Sequence, residues 1–222
     1  MEGVTDLFLT TSRSFLLNDR DSLNFSGTLT GRTGPFFRAC PNAAPLALSR
    51  MRGQGMAQRD GTFRSLPVNV TLAHPYRFDI LPGRSYALSG HISKLDDGRT
   101  TIMQVNYDGN HRPLPGGEQV ELGPMMITGN GKITRVRYIN SMNVENPTLK
   151  LVVSHDPAGN GDGRVKVRWL LAMGAMDIPH DTNFVVGTRI SLAGRLEDLG
   201  EPAGLVVVKV SRFFNMQSEQ QH

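Results

Sequence analysis

The sequence predicts an all-β fold, and three observations carry the prediction. Apolar residues recur with a two-residue period through most of the chain beyond Ser85, which places each set on one side of a sheet. Turn clusters separate these runs at 111–117, 128–131, 156–163 and 198–204, a spacing typical of sandwiches and barrels. The 222 residues include 24 glycines and 13 prolines, which favours many short strands over a few long helices.

Tyr86, Leu88 and Ile92 form the first alternating set, with Gly90 among them, and Met103, Val105 and Tyr107 form the second. Asp97-Gly98 lies between the two runs, a hairpin signal. Val136 and Tyr138 follow, then Leu149, Leu151 and Val153, then Val165, Val167, Trp169 and Leu171. Ile190, Leu192 and Leu196 precede a last apolar run over 205–210, broken only by Lys209. No stretch keeps a helical period. The best candidate, Ala43 to Gln58, is interrupted by Pro45, Gly53 and Gly55 and reads as loop. Residues 31–66, rich in Arg, Gly and Pro, read as one long excursion of the functional or assembly type. A glycine between apolar neighbours recurs at Phe25–Leu29, Leu88–Ile92 and Leu192–Leu196. It marks a bend and is taken as coincidence among strands, not as a repeat.

Composition narrows the function. A lone Cys40 cannot form an internal disulfide, so assembly in a reducing compartment is expected. The first 17 residues lack a long apolar run, and neither a signal peptide nor a membrane span is expected. The formal charge is +4, yet Arg32 to Arg84 holds eight arginines against Asp60 and Asp79. Such a stretch suits an acidic partner, a solvated face or nucleic acid. Without interleaved aromatics a partner or solvent is preferred over nucleic acid. Arg38, Arg50, Arg52, Arg59 and Arg64 are the candidate partner-binding residues.

No catalytic signature is present. The six histidines have no companion at metal-ligand spacing, and a nucleophile elbow and a phosphate-binding loop are both absent. A non-enzymatic protein is therefore expected. In the Gly-rich loop 156–163, Asp156, Asn160 and Asp162 could offer oxygen ligands to a structural calcium ion, although a plain turn explains the loop better. No other cofactor is expected. Trp169 and Tyr107 are the candidate glycan platforms, with the alternation of Trp169 with Val165 and Val167 arguing instead for a core position.

The phrase Leu81-Pro82-Gly83-Arg84-Ser85-Tyr86-Ala87-Leu88-Ser89-Gly90 resembles one found in galactose-binding-like jelly rolls. The order of the later strands, through Met173-Gly174-Ala175, is also similar to that family. The resemblance spans roughly residues 4–180 and implies a jelly-roll β-sandwich with a long N-terminal loop. Residues 181–222 then form a C-terminal β extension, either separate or part of the same domain, its strands at 188–214 outside the family core. Such modules occur as carbohydrate-binding domains and in bacteriophage tail and head-decoration proteins. With no signal peptide and few aromatics, this chain resembles the virion type. The expectation is a structural virion protein assembled in the host cytoplasm. Its expected partners are other virion proteins, further copies of itself and host glycans, with no membrane and nucleic acid not favoured. An OB-fold-like single-stranded nucleic-acid binder ranks second, since its barrel bends at glycine, and a carbohydrate-binding module ranks third.

Overall fold

The computed structural model describes residues 21–34, 36–40, 43–57, 63–72, 80–94, 100–106, 114, 123–139, 147–156, 164–176, 178, 182–199 and 205–217. They form eleven strands: β1 (Ser22–Gly31), β2 (Phe36–Cys40), β3 (Ala43–Ala57), β4 (Phe63–Leu72), β5 (Ser85–Lys94), β6 (Thr101–Val105), β7 (Met126–Ile139), β8 (Thr148–His155), β9 (Val165–Ala172), β10 (Arg189–Asp198) and β11 (Val206–Gln217). A 3-10 turn, Met173–Ala175, follows β9 and is the only helical element among the described residues. The protein is all-β, as its periodicity predicts.

The strands close into two barrels. β1 pairs with β5, β5 with β6, β6 in parallel with β4, β4 with β3, and β3 returns to β1. β7 pairs with β8, β8 with β9, β9 in parallel with β11, β11 with β10, and β10 returns to β7. Numbered within each barrel, both rings read 1-2-3-5-4-1. β1 and β7, the two first strands, pair antiparallel with each other and join the barrels. A jelly roll would leave two facing sheets; closed rings with a parallel pair in each replace that expectation. β10 and β11 complete the second barrel, so residues 189–217 do not extend a unit ending at 180. Nor is 31–66 one loop, since β2, β3 and the start of β4 lie in it.

Closure needs sharp bends and close strand approach, and glycine permits both. A Cβ on Gly90 would sit 2.0 Å from the carbonyl oxygen of Gln104, and one on Gly194 would sit 2.3 Å from that of Lys209. These two glycines are the centres of the second and third echoes. They occupy the same place in the fourth strand of each barrel, so the echo between them is an internal repeat.

The turns before those strands repeat as well. Gly83 and Gly187 adopt left-handed φ of 75° and 99°. Gly83 N–H donates to Gly31 O at 2.9 Å, and Gly187 N–H donates to Ile133 O at 2.8 Å. Gly31 N–H donates to Arg84 O as Ile133 N–H does to Thr188 O, each at 2.9 Å. The Pro-Gly-Arg-Ser-Tyr phrase is thus the entry to a fourth barrel strand. Its Tyr86 is buried in the core, where the hydroxyl accepts from Leu81 N–H at 3.0 Å and anchors the turn.

One apolar core runs through both barrels, from Leu23, Phe25 and Met51 to Trp169, Leu192 and Val208. At the joint the barrels exchange side chains. Leu23 of β1 lies over Gly129 of β7, and Met125 lies over Gly27 and Gly53 of the first barrel. The glycines leave room for the partner strand's residue, and Leu23 and Met125 are both wholly buried.

Candidate functional site

The outer face of β7, β8 and β9 is strongly cationic. On β8, Leu149, Leu151 and Val153 point inward, so Lys150, Val152 and Ser154 point outward. On β9, Val165, Val167, Trp169 and Leu171 fill the barrel, leaving Lys166, Arg168 and Leu170 outside.

On β7 the alternation changes phase. The register shifts between Ile133 and Arg135, with Arg135 opposite Val152 and Arg137 opposite Lys150. The extra residue, Thr134, donates its hydroxyl to Val152 O at 3.0 Å. A bulge of this kind re-aims every residue beyond it. Here it turns Arg135 and Arg137 to the outside and Val136 toward the core.

The three strands carry Lys132, Arg135, Arg137, Lys150, Lys166 and Arg168 and not a single Asp or Glu. Among the described residues, no carboxylate pairs with Arg135, Arg137, Lys150, Lys166 or Arg168. Lys150 is held below the ordinary lysine range by desolvation first, then by the charges of Arg168, Arg137 and Arg135. Positive charge is therefore concentrated on this face. Beside it lies an open concavity of about 500 Å³ lined by Arg137, Tyr138, Ile139 and Lys150. Tyr138 is 60% exposed there, although its place in the alternation predicts a core residue. Its position at the barrel rim, one residue from the end of β7, accounts for the difference.

The first barrel offers less charge. Arg50 and Arg52 point outward from β3, and the Arg50 guanidinium lies over the Phe36 ring, 5.4 Å from its centroid. Arg64 is bound to Asp198 at 3.0 Å. Arg38 lies on β2, its side chain outside the described residues, as is the whole of Arg59. The five candidate arginines are thus distributed: Arg50 and Arg52 share a face, while Arg64 is tied to the other barrel.

Trp169 is wholly buried and presents no surface to a sugar. Its indole N–H points at Nε2 of His155, 3.4 Å away. Tyr107 lies outside the described residues. Of the calcium candidates only Asp156 is described; it faces Arg164 at 3.7 Å, while Asn160 and Asp162 are outside. No group of metal-ligating side chains occurs among the described residues, and none of their helices is long and apolar enough to cross a membrane.

Two five-stranded barrels joined first strand to first strand define the class: a tandem-barrel β protein with a cationic outer face. No family model and no curated protein matches the chain. Among solved structures it is similar to the wild-type single-stranded DNA binding protein from Thermus aquaticus. The two share 16% identity over 91% of this chain and 94% of that one, with a TM-score of 0.55. A deletion variant of the same Thermus protein matches at 17% identity over 91% and 95%, also with a TM-score of 0.55. At such identity the likeness is one of fold. It overturns the galactose-binding-like resemblance and, with it, the ranking that set a virion assembly role ahead of the single-stranded nucleic-acid binder placed second.

The acid-free face escaped sequence reasoning because its six cations are scattered over three strands, whereas the arginine-dense 32–84 stretch drew attention as a run. A usable signal was present: the outward positions of β7, β8 and β9 include six cations and no acid, while the positions between them are largely apolar or glycine.

Proposed function

We propose that this chain binds single-stranded nucleic acid, DNA in the first instance, through the outer face of β7, β8 and β9, and performs no covalent chemistry on it. The observation that carries the reading is the set of six cations on the first three strands of a barrel, strands that contain no Asp or Glu. OB-fold barrels have this 1-2-3-5-4-1 connectivity and use the face of their second and third strands to hold oligonucleotides. Cations track the phosphates of such a strand, and exposed aromatics supply base stacking; Tyr138 stands at the edge of the face. The fold shared with the Thermus protein supports the same reading.

Fluorescence anisotropy with a labelled oligo(dT) of about 30 nucleotides tests it, a length that spans two barrels at roughly 4–16 nucleotides each. Binding is expected to weaken steeply with salt, with a slope of about −0.7 per phosphate contact, and to exceed binding to a duplex of the same length. Absence of binding, or equal binding to the duplex, contradicts the proposal.

A further inference from the structure

The two barrels can be compared position by position, because their hydrogen-bond registers coincide. Gly31 pairs with Met51 as Ile133 pairs with Val153. Counting back along the second strand of each barrel, Lys150 corresponds to Leu48 and Val152 to Arg50. Across the ladder, Arg137 lies opposite Lys150 and Phe36 lies opposite Leu48. On the third strands, Arg168 corresponds to Asn69 and Lys166 to Pro67.

The chemistry at these matched places differs sharply. Where the second barrel sets Arg137 beside Lys150, the first sets Phe36 beside Leu48. Leu48 is buried and packs with Ile102 in a small apolar cluster of its own, and Phe36 is covered by the Arg50 guanidinium. The concavity that Tyr138 and Ile139 share with Arg137 and Lys150 therefore has no matching pair of cations among the described residues of the first barrel, where the one guanidinium at that place, Arg50, is stacked on Phe36. Duplicated architecture carries unlike surfaces.

We propose that the two barrels hold a nucleic-acid strand unequally: the second barrel carries a nucleotide subsite in which a phosphate lies between Arg137 and Lys150 and a base stacks on Tyr138, and the first barrel lacks it. The proposal rests on the reading of the chain as a single-strand binder. The Arg137–Lys150 pair gives two donors to one phosphate from neighbouring strands, and arginine's planar fork suits phosphate oxygens. The Tyr138 ring is sufficiently exposed to offer a face, and any base can stack on it. A phosphate between Arg137 and Lys150 offsets the repulsion among these neighbouring cations.

The test grafts the first barrel's residues onto the second in the full-length chain: Arg137→Phe with Lys150→Leu. Oligo(dT) affinity at low salt should fall at least tenfold and the salt slope should shrink by about 0.7, the share of the one phosphate held between the two cations. Arg52→Leu on the first barrel should change affinity by no more than about twofold. Tyr138→Ala should weaken binding about tenfold, an effect that Tyr138→Phe restores and that vanishes on an oligonucleotide of abasic sites. Thermal midpoints are measured alongside, and Arg137→Gln with Lys150→Gln replaces the graft if its midpoint drops. Equal losses from the two barrels, or an unchanged slope in the graft, overturn the subsite while leaving single-strand binding intact. If the unmodified protein fails to bind oligo(dT), the underlying reading fails instead.

Discussion

His155 is the residue on which the joint between the barrels turns. Its Nδ1–H donates to carbonyl oxygens on both sides, Ser22 O at 3.0 Å and Asn130 O at 2.9 Å, while Nε2 accepts from the Trp169 indole. That pattern suits the neutral ring alone. Burial, opposed weakly by the two carbonyls and by Asp21, depresses its pKa from 6.5 to about 4. Because the unfolded state protonates first as pH falls, the contribution of His155 is fully present above about 6.5 and is lost progressively between 6.5 and 4. The loss is on the order of 3 kcal/mol. Chemical denaturation at pH 7 and pH 4 should show it, and His155→Gln should flatten that part of the profile. Glycine acts at the same scale. Gly90→Ala and Gly194→Ala each force a methyl group against a backbone carbonyl that cannot withdraw, a loss of about 3 kcal/mol readable in urea melts. Gly83→Ala, strained by its positive φ in open space, should cost only about 1 kcal/mol.

At the scale of elements, the joint is complementary in size. His155 of β8 sits where β3 has Gly53, and the neighbouring strand residue follows suit. The shorter Leu23 lies on the histidine side, whereas the longer Met125 reaches its Sδ and Cε toward Gly53. Leu23→Met, longer but nearly equal in volume, should cost about 1 kcal/mol at the joint, and His155→Gly should leave a cavity and an unpartnered indole N–H. Combined, the two changes should cost about 1 kcal/mol less than their sum, a coupling expected for groups that converge on one glycine. Additive losses in the double-mutant cycle would exclude the size match. β7 supplies a second case. Thr134 is the extra residue, so deleting it straightens the ladder while Arg135 stays opposite Val152 and Arg137 opposite Lys150, both still outside. The deletion variant should therefore keep a cooperative thermal transition and oligonucleotide binding within about threefold, and loss of binding in anisotropy would show that the bulge itself aims the arginines.

For the whole molecule, a core continuous across both barrels and strand pairing between β1 and β7 predict one cooperative unfolding transition. Scanning calorimetry should give equal calorimetric and van't Hoff enthalpies; two separated peaks would show that the barrels melt independently. Much of this architecture is legible in the chain. The inward faces of β5, β8, β9 and β10 follow the two-residue period, and burial of Trp169 follows from its companions Val165 and Val167. Other features are not legible. The echo of Leu88–Ile92 in Leu192–Leu196 looks accidental until the matching turn glycines, Gly83 and Gly187, are seen to bond to matching strands. Sequence period cannot distinguish a sandwich from a barrel, because both alternate inside and outside.

The sequence by itself determined that the protein is β-rich, which residues of most strands face inward, and that glycine bends recur, since these follow from local alternation and backbone freedom. Only the tertiary structure decided that the strands close into two barrels and that lysines and arginines from three separate segments share one face. Closure and clustering depend on contacts between residues far apart in the chain, to which a two-residue period is blind. The arginine-dense stretch that stood out in the sequence is divided by folding, and the cations that went unremarked are gathered by it.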